Sequence, residues 1–302
     1  MNYLLLADIH SNLEALVTSL KDFSENFSLD EKTFSKIHNS LKPYNIDITP
    51  KQFSKDETKI VSLGDIVGYG PDANDCTSII RELADLSVVG NHEHYLFGQQ
   101  DNTLTLSERF GLNGGVLEAL ALNYKDLSQV NIDFLRNMVD APRVIYDKDL
   151  QLGFSHAIPS KSKDFLYPAT DKSEIFRKNS VEKLLTFRDA QTYFMGHAHV
   201  SGISSKKSDY LVELVKNTFN KDDISASTIS LKKYLKKNSE LVLVPSIGQP
   251  RDGDNRSGYA VYDSKTKDLI FRRVPYDIMV SVKKLVYSGY PKHLVMRLVH
   301  GT

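Results

Sequence analysis

Five short polar clusters constrain this chain most, because each stands at the carboxyl end of an apolar, strand-like run. They are Asp8-Ile9-His10, Gly64-Asp65, Gly90-Asn91-His92-Glu93, Ser155-His156 and Gly196-His197-Ala198-His199. In open α/β sheets, ligands bind just outside the carboxyl ends of the strands. A lone His or Asp there carries little meaning. Five groups in the same position along one chain imply one shared site.

The runs also set the fold class. Tyr3 to Ala7 reads as a buried strand, and Leu13, Leu16, Val17 and Leu20 then fall on one helical face. Ile60 to Leu63 is a second strand, followed by a helix from about Ala73 to Leu86 and a strand over Ser87 to Val89. Leu150 to Phe154, Thr192 to Met195, Leu241 to Val244 and Tyr259 to Tyr262 are further strands. Apolar strands separated by helices imply sheets covered on both faces, here a four-layer α/β/β/α sandwich. The pattern does not specify strand order.

The chain reads as one domain over residues 1–302 with two added regions. Residues 24–58 are polar, with Phe34, Ile37 and Leu41 at helical spacing behind Asp30, an N-cap candidate. That segment reads first as a peripheral insertion and second as a lid near the cleft entrance. Residues 204–240 form a second variable region, whose Lys232, Lys233, Lys236 and Lys237 read as a solvated face. From Tyr276 the chain reads as two short helices broken near Gly289 and Pro291.

Bulk composition removes several classes of function. The 38 basic and 38 acidic residues cancel, which argues against specific nucleic-acid binding through clustered Lys and Arg. No apolar run approaches the roughly 20 residues needed to cross a bilayer. The opening Met1-Asn2-Tyr3-Leu4 lacks a basic n-region, so no signal peptide is read, and a cytoplasmic protein is expected. The single cysteine, Cys76, excludes an intrachain disulfide and reads as a small core residue.

Spacing carries the chemistry. Residues i and i+2 of an extended chain point to one side, so Asp8 with His10, and His197 with His199, can each present two ligands together. Imidazole with carboxylate and amide oxygen favours Mn²⁺, Fe or Zn²⁺ over Ca²⁺. Six or seven such ligands exceed the needs of one tetrahedral ion and suit two ions sharing a carboxylate, an arrangement that clamps an in-line displacement. Gly64, Gly90 and Gly196 stand where a strand must turn sharply, and φ > 0 is the expected reason for glycine there.

Together with the turn Gly64-Asp65-Ile66-Val67-Gly68-Tyr69-Gly70-Pro71 and the segment Ser246-Ile247-Gly248-Gln249-Pro250-Arg251-Asp252-Gly253, these clusters resemble the calcineurin-like metallophosphoesterases, in particular their bacterial and archaeal phosphodiesterase/phosphatase branch. The resemblance implies a metallophosphoesterase sandwich with mixed sheets. It also implies that Asp8, His10 and His199 hold one divalent ion, that Asn91, His156 and His197 hold a second, and that Asp65 bridges both. Mn²⁺ or Fe stands ahead of Zn²⁺. His92 would be the catalytic general acid, and hydroxide held by the two metals would attack a phosphate ester. Small phosphodiesters or nucleotides are the expected substrates, with phosphoprotein as the alternative. Glu93 stands where the family often has Asp, and is expected still to orient His92.

Competing readings weigh less. Gly68-Tyr69-Gly70-Pro71-Asp72-Ala73 formally fits a dinucleotide fingerprint, but Pro71 stiffens the turn and Asn91 stands where a ribose-binding acid belongs. His38, His293 and His300 read as surface or helix residues, and His94 as a neighbour of the motif. Asn12 and Arg251 enter as substrate-contact candidates, Arg251 because guanidinium binds phosphate bidentately. A silent protein-binding scaffold of the same fold would lack part of the ligand set, which is complete here. An amidohydrolase would carry its His-x-His on the first strand.

Overall fold

Strand β1 shows how the apolar runs build the architecture. Leu4 and Leu6 of β1 (Asn2–Leu6) face a helical layer, whereas Tyr3 and Leu5 face a second sheet. A strand buried on both faces needs no polar alternation, so it reads as a continuous apolar run. In this computed structural model, residues 1–98, 114–158, 165, 189–204, 212–214, 224–231 and 240–302 are described.

After β1 come α1 (Leu13–Asn26), β2 (Ser28–Leu29), α2 (Glu31–Leu41), β3 (Gln52–Phe53), β4 (Thr58–Ser62), α3 (Ala73–Leu83), β5 (Leu86–Ser87) and α4 (Asn91–Gly98). Next are α5 (Gly114–Asp126), α6 (Gln129–Asp140), β6 (Val144–Asp147), β7 (Leu152–Ser155) and β8 (Thr192–Met195). The remainder comprises β9 (Gly202–Ser204), β10 (Val212–Leu214), β11 (Ser225–Ser230), β12 (Glu240–Leu243), β13 (Ser257–Asp263), β14 (Asp268–Val274), α7 (Ile278–Tyr287) and α8 (Lys292–His300).

Among the described residues the long strands form two six-stranded mixed sheets, in the orders β11-β14-β13-β1-β4-β5 and β10-β9-β12-β8-β7-β6. In the first, β1 runs parallel to β4 and antiparallel to β13; in the second, β7, β8 and β12 are parallel. The carboxyl ends of β1 and β4 thus meet those of β7 and β8, and a parallel bridge from Ala7 to Ser246 ties them. Between the sheets lies a core that includes Tyr3, Leu5, Val61, Phe154, Phe194 and Tyr262. A larger core joins the first sheet to α1, α2, α3 and α6. On the outer face of the second sheet, Tyr193, Met195, Leu241 and Leu243 form a smaller cluster.

Residues 24–58 lie away from the cleft, which corrects their second reading as a lid. Asp30 caps α2 by accepting from Thr33 N (2.9 Å), and its other oxygen accepts from Thr58 N (2.9 Å) at the amino end of β4. Leu29, Ile37, Leu41 and Ile48 are buried in the larger core. The segment therefore extends that core at the end of the sheet opposite the polar clusters.

Helix α3 stops three residues short of expectation. Asp85 exchanges backbone and side-chain bonds with Ile60 (2.8 and 2.9 Å), which draws the chain out of the helix and onto β4. Of the region 204–240, the four lysines lie outside the described residues. The two C-terminal helices form as expected around Gly289, whose φ is +74°. No helix among the described residues is long and apolar enough to cross a membrane.

Candidate metal centre

The polar clusters lie in turns just past the strand ends, with unusual backbone conformations. Asp8 (φ 51°), His10 (49°), Asp65 (54°), His197 (64°) and His199 (57°) all occupy the left-handed region. Each such non-glycine residue costs about 1–3 kcal/mol, which the surrounding structure must offset. Adjacent loops do so by pairing: Asp8 N donates to Gly64 O (3.1 Å), His10 N to Asp65 O (3.0 Å) and Ser11 N to Ile66 O (2.8 Å). The expected i, i+2 presentation from extended chain is therefore corrected. Asp8 and His10 converge through left-handed turns, and His197 and His199 diverge into separate groups.

Those groups share one carboxylate. Ligand-type atoms of Asp8, His10, Asp65 and His199 all lie within 4.8 Å of one another, as do those of Asp65, His156 and His197. Asn91 Oδ1 stands 3.0 Å from His156 Nε2. Three imidazoles have their tautomers set from behind, because Nδ1 of His10, His156 and His199 donates to the carbonyls of Val67, Leu63 and Gln249. Their Nε2 lone pairs then point inward. Nε2 of His10 and Nε2 of His199 meet at 3.1 Å, acceptor against acceptor. A cation placed between these donors removes that conflict, so the residues fit divalent metal.

Titration of these buried groups divides in the metal-free protein. Burial, then the neighbouring His92, holds His10 well below the usual histidine range; burial, then Arg251, does the same for His199. Burial also pushes Asp8 up to about 7. Burial opposes ionisation of Asp65, yet His156 and His92 hold it well below the carboxylate range. For His156, burial acts downward, but Asp65 at 3.3 Å and Asp8 raise it to about 9.

His92 belongs to neither group, and its ring centroid lies 4.6 Å from that of His10. Its backbone N donates to Asp65 Oδ1 (2.9 Å), its Nδ1 is buried without a hydrogen-bond partner, and burial lowers its pKa to about 4. Glu93 is placed differently from expectation. Rather than orienting His92, its carboxylate accepts from the backbone N of Asp65 (2.9 Å), Ile66 (2.7 Å), Val67 (3.2 Å) and Gly90 (2.8 Å). It clamps the Asp65 loop to the Asn91 turn.

The glycine expectation holds only in part. Gly64 has φ +85°, whereas Gly90 and Gly196 do not have positive φ. Close approach explains those two: a Cβ on Gly90 would lie 2.1 Å from Asp65 Oδ1, and one on Gly196 2.8 Å from Asp8 Oδ2.

Asn12, expected at the substrate, is buried and committed to the scaffold. Its Nδ2 donates to Gly248 O and Tyr276 Oη (both 3.0 Å), and its Oδ1 accepts from Ala15 N (3.2 Å) and Ser281 Oγ (3.0 Å). Arg251 does reach the centre's edge, where Nη2 donates to Tyr69 Oη (3.2 Å) and Gln249 Oε1 (3.1 Å).

Several contributors escaped the sequence reading. The Tyr69 ring sits 4.5 Å from that of His10 and 4.6 Å from that of His92. Phe165 lies 5.8 Å from the His156 ring, with the Arg143 guanidinium 4.2 Å over its face. Asn123, fully buried, donates to Gly70 O (2.8 Å) and supports the Gly68–Gly70 turn. Only Tyr69 had a sequence signal, its place inside the Gly-Tyr-Gly-Pro turn.

Comparison with known proteins follows the same lines. The family model for calcineurin-like phosphoesterases matches residues 1–201. An uncharacterized protein of Methanocaldococcus jannaschii, MJ0912, is 30% identical over 300 residues, covering 98% of this chain and 96% of that protein. Among solved structures, a metallophosphoesterase from Sphaerobacter thermophilus superposes with a TM-score of 0.67 at 23% identity, covering 100% and 99% of the two chains. A hypothetical protein from Pyrococcus horikoshii, PH1004, gives 0.64 at 14% identity, covering 100% and 98%. The mixed α/β architecture is thus the metallophosphoesterase fold.

Proposed function

Because the chain belongs to the calcineurin-like phosphoesterase family, we infer that it is a phosphoesterase working with two divalent cations. Asp8, His10 and His199 would hold one, Asn91, His156 and His197 would hold the other, and Asp65 lies within reach of both groups. The opposed Nε2 atoms of His10 and His199, 3.1 Å apart with their Nδ1 hydrogens already committed, carry this reading. The mixed N/O donor set favours Mn²⁺ or Fe, then Zn²⁺. When bound, the cations supply Lewis acidity toward phosphoryl oxygens and lower the pKa of water.

The chain's own residues do the rest. His92, outside both ligand groups but beside His10 and kept neutral by burial, would offer its ring N–H as a hydrogen-bond donor to the leaving oxygen. Tyr69 and Phe165 flank the two groups and give the cleft aromatic walls, which supports small phosphodiesters or nucleotides as substrates. Glu93 keeps Asp65 and Asn91 in register through their backbones.

The test is hydrolysis of an aryl phosphodiester and the matching monoester, with Mn²⁺ and then with chelator. Chelator-sensitive turnover restored by metal is expected. Undiminished turnover in metal-stripped protein would overturn the mechanism.

A further inference from the structure

His92 is held differently from the ligand histidines around it. His10, His156 and His199 are anchored through Nδ1 to backbone carbonyls, whereas Nδ1 of His92 is buried without a hydrogen-bond partner. Shape holds this ring instead. A Cβ on Gly68 would lie 2.0 Å from His92 Nδ1, 2.8 Å from Cε1 and 2.9 Å from Cγ, so the imidazole rests directly against the Gly68 backbone. The rings of His10 and Tyr69, each with its centroid 4.6 Å away, close around it. Gly68 also has φ +97°, so both its conformation and its missing side chain are needed for this seat. Where the Gly68–Gly70 turn goes, the His92 ring must follow.

A single side chain bonds both ends of that turn. Asn123 of α5, fully buried and 55 residues on in sequence, accepts at Oδ1 from Gly68 N (2.5 Å) and Ser11 Oγ (3.2 Å). Its Nδ2 donates to Gly70 O (2.8 Å) and to Tyr290 Oη (2.9 Å), which precedes α8. Two acceptor positions and two N–H groups are all that an amide side chain has, so none is spare. Its orientation is forced, because Gly68 N can only donate and Gly70 O can only accept. An apolar residue here would leave both backbone groups buried and unpaired. The turn would then be free to shift under the ring that rests on it.

Resting on the phosphoesterase reading, with His92 as donor to the leaving oxygen, we propose that Asn123 is a positioning residue for the reaction. It fixes the Gly68–Gly70 turn as the seat of His92 and so sets the aim of the His92 ring N–H.

Aryl esters of thymidine 5′-phosphate test this on Mn²⁺-saturated protein. Phenolate needs a proton donor as it leaves, and p-nitrophenolate, a weaker base, needs one less. Asn123→Ala should lower kcat on the phenyl ester by about 10–100-fold, the scale of a misplacement near 1 Å. It should lower kcat far less on the p-nitrophenyl ester and leave KM for both near wild type. In a His92→Ala background the same exchange should add no more than about twofold on either ester. Asn123→Leu fills the space without the four bonds and should behave alike, with thermal unfolding confirming that the variants fold. Tyr290→Phe removes one bond of Asn123 but neither bond to the turn, so it controls for lost stability and should keep the wild-type ratio of the two esters. Equal losses on both esters in a folded Asn123 variant, or a full further loss in the His92→Ala background, overturn the positioning role.

The His92 ring ¹³Cε1–¹H signal in metal-free protein reports the seat without turnover. It should shift in Asn123→Leu and stay in place in Tyr290→Phe. That shift, with no hydrolysis of either ester by the wild type, keeps the seat and sinks the phosphoesterase reading. Hydrolysis by the wild type with no shift and no change of ester ratio in Asn123→Leu does the reverse.

Discussion

Glu93→Gln isolates the clamp that joins two ligand loops. The exchange keeps size and shape, so its effect comes from donors and acceptors. In the wild type, Oε1 accepts from Ile66 N and Val67 N, and Oε2 from Asp65 N and Gly90 N, all in a fully buried position. A glutamine keeps its carbonyl for one pair and turns an amide N–H₂ toward the other. Two buried backbone donors then face a donor, and each orphaned group costs about 1–3 kcal/mol, so the variant should lose about 2–6 kcal/mol. For a chain of this size, 1 kcal/mol corresponds to roughly 2–4 °C in Tm. If the carbonyl stays with Ile66 and Val67, the orphans are the N–H groups of Asp65 and Gly90, so Mn²⁺ affinity should fall as well. Denaturant unfolding of metal-free and Mn²⁺-loaded protein measures both effects. A variant within about 0.5 kcal/mol of wild type, the usual scatter of surface changes, with unchanged metal affinity would refute the clamp.

Gly90→Ala places a Cβ 2.1 Å from Asp65 Oδ1, so metal content by elemental analysis should fall sharply even where the chain still folds. His92→Ala should retain both ions and lose about 10²–10⁴-fold in kcat, the usual range for a positioned acid or base; a variant that lost metal would place His92 among the ligands. Because His156 is raised to about 9 in the metal-free protein, it is protonated at pH 7 and must release that proton to donate its lone pair. Metal affinity should therefore rise from pH 6 toward about 9, with proton release visible as buffer-dependent binding enthalpy. Ile37→Ala should cost about 2–5 kcal/mol of stability with kcat/KM unchanged, since Ile37 packs at the far end of the sheet.

Particular residues show what was legible. Asp8, Asp65, Asn91, His156, His197 and His199 were all found at strand ends, because apolar runs are visible as composition and parallel strands present their carboxyl ends together. The means of convergence was not legible. Left-handed φ at Asp8, His10, Asp65, His197 and His199 is imposed by neighbouring loops, and nothing local in an Asp or His announces it. Glu93 and Asn123 were misread or missed for the same reason: their partners are backbone N–H and C=O groups that every residue carries. Phe165 follows the Ser155-His156 cluster within ten residues but had no pattern to mark it.

The residues after 201, beyond the matched family model, complete the centre rather than decorate it. Gln249 O sets the His199 tautomer, and Arg251 N donates to His199 O at 3.1 Å. A Cβ on Gly248 would lie 1.8 Å from Ile9 O, so this loop closes tightly on the Asp8–His10 turn. Ser246 Oγ donates to Asp8 O at 2.8 Å. A left-handed Asp8 and His10 thus rely on contacts from a segment more than two hundred residues away. The cost of their backbone conformation is offset only when both ends of the chain are in place, so the ligand geometry should form with the final fold and not before it.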